Sequence, residues 1–149
     1  MRRISDFLIL GIQIALGYIL VHFASPWTGN ISLRIASFAI LIAGVVIGVK
    51  ALIDLGNSFA VAPAPHEKSH FIAKGIYSKV RHPMYLAVLL AATAYLILGF
   101  NTASLLTYIS IAIFFSVKII YEDKALKAKY PDYAEYARRT GALLPNFKS

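Results

Sequence analysis

The sequence predicts an all-α, polytopic membrane protein: about four transmembrane helices, both termini on the cytoplasmic side, and short cytoplasmic helices in the tail. Three observations carry this expectation. Hydrophobic residues make up 58% of the chain, against about 45–50% in an ordinary soluble domain, and the mean hydropathy is +0.67. The excess gathers into four long blocks instead of spreading evenly. Lysine and arginine, finally, alternate between the connections.

Ile9–Phe23 holds Gln13 as its one strongly polar residue before His22, and Leu33–Ile53 is apolar apart from Arg34, Ser37 and Lys50. Tyr85–Phe100 and Thr102–Val117 carry no charge. Crossing a hydrocarbon core of about 30 Å takes about 20 mostly apolar residues. The first, second and fourth blocks meet that length, and the third is short and crosses with little tilt. No block shows a polar stripe, which argues against a soluble bundle. Arg2-Arg3 before the first block resembles the start of a signal peptide, but Ala24-Ser25-Pro26 is a poor cleavage site, so the block reads as a retained span.

Basic residues fix the orientation. Arg2 and Arg3 precede the first span; Lys68, Lys74, Lys79 and Arg81 lie between spans two and three; Lys124, Lys127, Lys129, Arg138, Arg139 and Lys148 follow span four. Residues 24–32 and 99–103 hold none. The basic side is the cytoplasmic one. The net charge of +8 is then a topology signal that also attracts anionic lipid, and it calls for no nucleic acid. Small size and the absence of targeting signals favour a prokaryotic inner membrane.

The chain reads as one domain, residues 1–149, without repeats. Pro26-Trp27-Thr28-Gly29-Asn30 is a turn-rich connection with an interfacial tryptophan. Span two ends around Asp54–Gly56. The stretch from Asn57 to Pro83, with Pro63, Pro65 and Gly75, begins as irregular chain. Pro83 suits the first turn of span three. Gly99-Phe100-Asn101-Thr102 forms a short hairpin, with Asn101 or Thr102 capping span four. Glu122–Tyr130 continues that helix until Pro131, and Asp132–Arg139 forms another short helix closed by Gly141 and followed by Pro145. The short hairpin brings Arg81-His82-Pro83 close to Lys118, Glu122 and Asp123.

Chemistry is sought on that shared face. Lys118 and Glu122 are four apart and share a helix face. Ionisable groups at membrane depth mark function by default, but near a helix exit they also read as side chains snorkelling to water. Arg81 reads equally as a topology anchor or a site residue. Tyr77 and Tyr85 fit an interfacial aromatic belt, and His82 fits a cap for span three. Tyr130, Tyr133 and Tyr136 read as surface aromatics. Lys50 and Asp54 read as an ordinary pair at a helix end. The Gly44–Gly48 stretch reads as helix packing. Without cysteine there is no disulfide, thiolate zinc site or thiol nucleophile. Four scattered histidines give no metal-ligand spacing.

Gly75-Ile76-Tyr77, then Arg81-His82-Pro83-Met84-Tyr85, a hairpin, the Glu122-Asp123 pair and Tyr133-Ala134-Glu135-Tyr136 ending at Leu144-Pro145, together resemble the isoprenylcysteine carboxyl methyltransferases and related membrane phospholipid methyltransferases. The resemblance covers about residues 55–147, a methyltransferase-like core. It implies S-adenosyl-L-methionine as cofactor, bound on the cytoplasmic side. Ser69, His70, Phe71 and Ile72 would meet the cofactor through backbone groups; Tyr77, His82, Pro83, Met84 and Tyr85 would form the rest of its pocket, with Glu122 facing its polar or cationic groups. Lys118 falls where the family carries an arginine holding the substrate carboxylate, and Lys118, Arg81 and Glu122 are the residues expected at the chemistry, with no metal. Arg81 would orient the cofactor carboxylate or brace the acidic pair. The frequent glycine after the motif tyrosine is Leu86 or Ala87 here, and the frequent second glutamate is Asp123. A lipid-like or apolar acceptor, a prenylcysteine-type carboxylate or an amine, would enter from the bilayer; the acceptor's identity and the oligomeric state stay open. Two other readings of the sequence remain: a sterol-reductase-like, NADPH-dependent membrane reductase, and a non-enzymatic membrane assembly protein.

Overall fold

A computed structural model describes residues 11–19, 22, 30–56 and 72–146. Residues 11–19 are the described part of helix α1. Helix α2 spans Ile31–Leu55, α3 Pro83–Leu98, α4 Thr102–Lys129 and α5 Tyr133–Arg139. A 3-10 helix, Gly75–Ser78, precedes α3. The described residues contain no strand; Val80 and Gly141 form an isolated parallel bridge. Arg2, Arg3, Trp27, Pro63, Pro65, Lys68, Ser69, His70, Phe71 and Lys148 lie outside the described residues.

Local chemistry sets the helix ends. The Asn30 side chain accepts from Leu33 N at 3.0 Å and opens α2. Asn101 and Ser104 form a reciprocal capping box at the start of α4. Pro83 opens α3, where its missing amide hydrogen costs nothing. As the charged tail segment suggested, α4 runs on unbroken through Glu122 to Lys129, and Pro131 lies in the turn before α5.

α2 and α4 are long and apolar enough to cross a membrane. α3, with 16 residues, rises about 24 Å at 1.5 Å per residue, short of the roughly 30 Å core. The outward surfaces say what surrounds these helices. Ile35, Ile42 and Ile53 on α2 and Ile113 and Ile120 on α4 are 60% or more exposed. Water would penalise such a continuous apolar face, and lipid does not. Hydroxyls within the helices are satisfied internally: Ser37, Thr93, Thr107, Ser110 and Ser116 each donate to the carbonyl four residues back. That suits a solvent that offers no hydrogen bonds.

Helix contacts differ in kind. α2 lies closely along α3 because its facing residues are small: Ser37, Gly44 and Ala51 are buried. A β-carbon on Gly44 would come 3.0 Å from the Ala87 carbonyl oxygen and 3.2 Å from Leu90 Cβ, and one on Gly48 3.3 Å from Ala87 Cβ. This is the close approach that small residues permit between membrane helices. α3 and α4 instead meet through large side chains, with Tyr85, Tyr95, Tyr108 and Phe114 packed around Ala92, Ile111 and Phe115. Thr93 adds a 3.3 Å hydrogen bond to the Tyr108 hydroxyl.

Gly44→Val therefore forces α2 away from α3. Overpacking of this kind costs about 1–3 kcal/mol, expected as a thermal midpoint in detergent lower by several degrees. Gly11→Ala, whose β-carbon meets nothing within 4 Å, leaves the midpoint where it is.

Candidate active site

The site begins with a turn that only glycine can open. Gly75 has φ +61°, a conformation that L residues with side chains avoid. A β-carbon there would also overlap the Asp54 carboxyl group. From Gly75 the chain winds through one 3-10 turn, closed by Tyr77 N to Lys74 O at 3.2 Å and Lys79 N to Ile76 O at 3.0 Å. Tyr77 is thereby buried, and its carbonyl accepts the Tyr136 hydroxyl at 2.5 Å.

The next residues are clamped by the tail. Arg81 N donates to Gly141 O at 2.9 Å and His82 N to Ala142 O at 3.0 Å. A β-carbon on Gly141 would run into the Leu144 carbonyl, so the tail can fold back only through glycine at this position. The Arg81 guanidinium reaches two carbonyls at the end of α5, Ala137 O at 2.7 Å and Thr140 O. There its charge meets the negative end of the helix. Its other terminal nitrogen donates to Asp123 Oδ2 at 2.9 Å. Asp123 Oδ1 is shared by His82 Nε2 at 2.9 Å and the Tyr133 hydroxyl at 2.5 Å. Of the acidic pair, Arg81 contacts Asp123.

Glu122 sits differently. Its Oε2 accepts the Tyr85 hydroxyl at 2.5 Å and lies 3.8 Å from His82 Nδ1; its Oε1 takes no hydrogen bond from the described residues. The His82 ring stacks on Tyr85 at 5.3 Å and 4° between planes, and Tyr85 rests on Phe115 at 5.0 Å. One helical turn before Glu122, the Lys118 ammonium lies 5.0 Å from the centre of the Tyr85 ring. Phe115 also walls an apolar groove of about 310 Å³ between α1, α3 and α4, with Gln13, Gly17, Val88, Tyr95 and Ile111. Polar cluster and groove thus share the Tyr85–Phe115 stack.

Several sequence-based readings need correction. His82 occupies the cap position of α3 but makes no capping bond with its side chain, whose ring is turned to the acidic pair. Lys118 does not snorkel outward: it is 5% exposed. Tyr133 and Tyr136 are not surface aromatics but buried anchors at 1% and 8% exposure. Asp54 does pair with Lys50 at 3.3 Å, yet its shorter bond, 2.7 Å, accepts from Ile76 N in the 3-10 turn. Pro83 is fully buried, while Ile72 and Met84 are half-buried. Burial raises the phenols of Tyr77, Tyr133 and Tyr136, that of Tyr136 to about 12, so all three remain neutral donors at physiological pH. Among the described residues, no group of three or more His, Asp or Glu side chains could hold a metal ion.

The two carboxylates should therefore differ in stability. Asp123→Asn leaves the guanidinium of Arg81, 13% exposed, without its anion, and breaking a largely buried pair costs about 3–5 kcal/mol. Glu122→Gln keeps an amide oxygen for the Tyr85 hydroxyl and loses only the charge on a single phenol hydrogen bond, a cost of about 1 kcal/mol. Thermal unfolding of the ligand-free variants in detergent is expected in that order, and the reverse order would contradict the division.

Relatives give the arrangement its family. The chain is similar to the cobalt-zinc-cadmium resistance protein CzcN of Cupriavidus metallidurans, 40% identical over 78 residues, half of this chain. The chain matches only 35% of that protein's length. The model of the isoprenylcysteine carboxyl methyltransferase family matches residues 36–128, from the first half of α2 to the end of α4, and takes in the turn, the Arg81–Tyr85 segment and both acids. On that match the chain belongs to the isoprenylcysteine carboxyl methyltransferase family.

Proposed function

We propose that this protein transfers the methyl group of S-adenosyl-L-methionine to a lipophilic acceptor drawn from the bilayer. The observation that carries the proposal is the contrast within the acidic pair. Asp123 is engaged by Arg81, His82 and Tyr133, whereas Glu122 keeps one oxygen that takes no hydrogen bond from the described residues, beside aromatic rings and an apolar groove. The cofactor supplies an electrophilic methyl on a sulfonium cation. A partly dry carboxylate faced by Tyr85 and His82 suits such a cation.

The chain's own contribution is chiefly positioning. A methyl transfer forms one bond to the acceptor while the carbon–sulfur bond breaks and its electron pair returns to sulfur, so alignment matters more than acid–base chemistry. Glu122 favours the cationic reactant over the neutral thioether product, which aids release. Tyr85 sets the direction of Glu122 and, through Phe115, borders the groove that would take the acceptor's apolar part. Lys118, buried against the Tyr85 ring, supplies a positive charge for an anionic acceptor group. Its single ammonium lacks the planar grip of the family's arginine, so the acceptor need not be a prenylcysteine carboxylate. For an amine acceptor, Glu122 would take the proton.

The reading places four crossings in a prokaryotic inner membrane, with the Gly75–Tyr85 segment and α5 facing the cytoplasm. The basic residues of the second connection and of the tail support this orientation.

Thermal stability of the detergent-purified protein, measured with S-adenosylmethionine, S-adenosylhomocysteine and NADPH, tests the class. A ligand at about 100 times its dissociation constant adds roughly 2.7 kcal/mol. Stabilisation by the two adenosyl compounds is expected; stabilisation by NADPH alone would mean a reductase, and silence from all three a non-enzymatic role. Glu122→Gln is expected to weaken S-adenosylmethionine binding by about tenfold, roughly 1.4 kcal/mol, and binding of S-adenosylhomocysteine, whose sulfur is a neutral thioether, far less. Equal losses would move Glu122 from the sulfonium to a group common to both ligands, and no loss would remove it from the site.

A further inference from the structure

An acidic side chain in the last turn of a helix opposes the helix dipole, and α2 carries one there, Asp54, next to its final residue Leu55. Its pairing with Lys50 does not account for it. The lysine side chain is 58% exposed against 15% for the aspartate, and such water-exposed pairs contribute little.

The stronger contact lies 22 residues along the chain, where Asp54 Oδ2 accepts the Ile76 backbone N–H at 2.7 Å. That N–H belongs to the first turn of a helix, where geometry leaves amides without an intrahelical partner. A charged acceptor there makes a stronger bond than a neutral one. The carboxyl also occupies the space that a side chain at residue 75 would need. Residue identity at 54 and at 75 are therefore two halves of one fit: a short acid on the helix, and glycine with φ +61° above it.

What this fit holds in place is Tyr77. The tyrosine follows Ile76 directly, its side chain is buried, and its carbonyl is pinned from the opposite side by Tyr136. Tyr136 belongs to the tail, while Asp54 belongs to a membrane-spanning helix. The turn is therefore suspended between the two.

We propose that Asp54 is a positioning residue for the cofactor pocket: by holding Ile76 N–H it fixes the Gly75–Ser78 turn, and hence Tyr77, between α2 and the tail. This rests on the cofactor reading given above, and it assigns a role to a residue outside the Arg81–Tyr85 and acidic-pair motifs.

The test is calorimetric titration of the full-length protein in detergent with S-adenosylhomocysteine, set beside ligand-free thermal midpoints. Asp54→Ala and Gly75→Ala are expected to weaken binding at least tenfold. Asp54→Asn, which keeps an oxygen for Ile76 N–H but loses the charge, stays within about threefold of the parent protein. Lys50→Ala, which removes only the ion pair, binds as the parent does. A lower midpoint with undiminished affinity in Asp54→Ala would overturn the proposal by making the residue purely structural. If Asp54→Ala does not fold, Gly75→Ala carries the decision: parent-like affinity there overturns the proposal too. Binding by the parent but equal loss in Asp54→Asn and Asp54→Ala would refute the hydrogen-bond account while leaving the methyltransferase reading intact. Silence from the parent would overturn both.

Discussion

The carboxylate of Asp123 is the point on which three segments of the chain converge. Arg81 and His82 arrive from the strip before α3, Tyr133 from α5, and Asp123 itself from the C-terminal part of α4. Each is a charge-assisted bond, of the class worth about 1.5–3 kcal/mol where burial excludes water, though such terms do not add. The consequences spread outward from there. Arg81 can close the end of α5 only because its charge is met on the other side. The tail can pair with residues 80–82 only because α5 is anchored. Without that anchor His82 loses its acid and the Tyr77 turn loses the Tyr136 hydroxyl that pins it from the tail side.

Fixing one acid frees the other. Adjacent carboxylates in a partly dry setting repel, and the chain resolves this by giving Asp123 the cationic partners and Glu122 a phenol. Tyr85 then does two jobs with two parts of one side chain. Its hydroxyl addresses Glu122, and its ring lies on Phe115 at the wall of the apolar groove. A polar cluster and an apolar groove are thus joined across a single aromatic stack. A reaction between a charged soluble cofactor and an apolar acceptor requires a junction of that kind.

Much of this was legible in the sequence, and the remainder has a physical reason for being hidden. Apolar block lengths gave α2, α3 and α4, and Pro83, Asn101 and Pro131 marked their ends, because each reflects local chemistry that tertiary context does not reverse. The meeting of Arg81-His82 with Glu122-Asp123 followed from one short hairpin. What periodicity could not show is which side of α5 faces inward: Tyr133 and Tyr136, three apart, are as consistent with a membrane surface as with a buried anchor. The partner of Asp54 was hidden for a similar reason, since a backbone amide 22 residues away leaves no mark on composition. An acid in the last turn of α2 was the available sign, because the helix dipole makes such a residue unfavourable unless something answers it. Lys118 misled in the other direction: near a helix exit a lysine usually reaches water, but this one is buried with its ammonium against the Tyr85 ring.

The central claim is the separation of roles between neighbouring acids, one structural and one facing the cofactor. A structure of the full-length protein bound to S-adenosylhomocysteine tests it most directly. The account predicts the ligand's sulfur on the Glu122 side, bordered by Tyr85 and open to the groove, with Arg81, His82 and Tyr133 still on Asp123. A ligand that takes Arg81 or His82 away from Asp123, or that lies outside this pocket altogether, would contradict it.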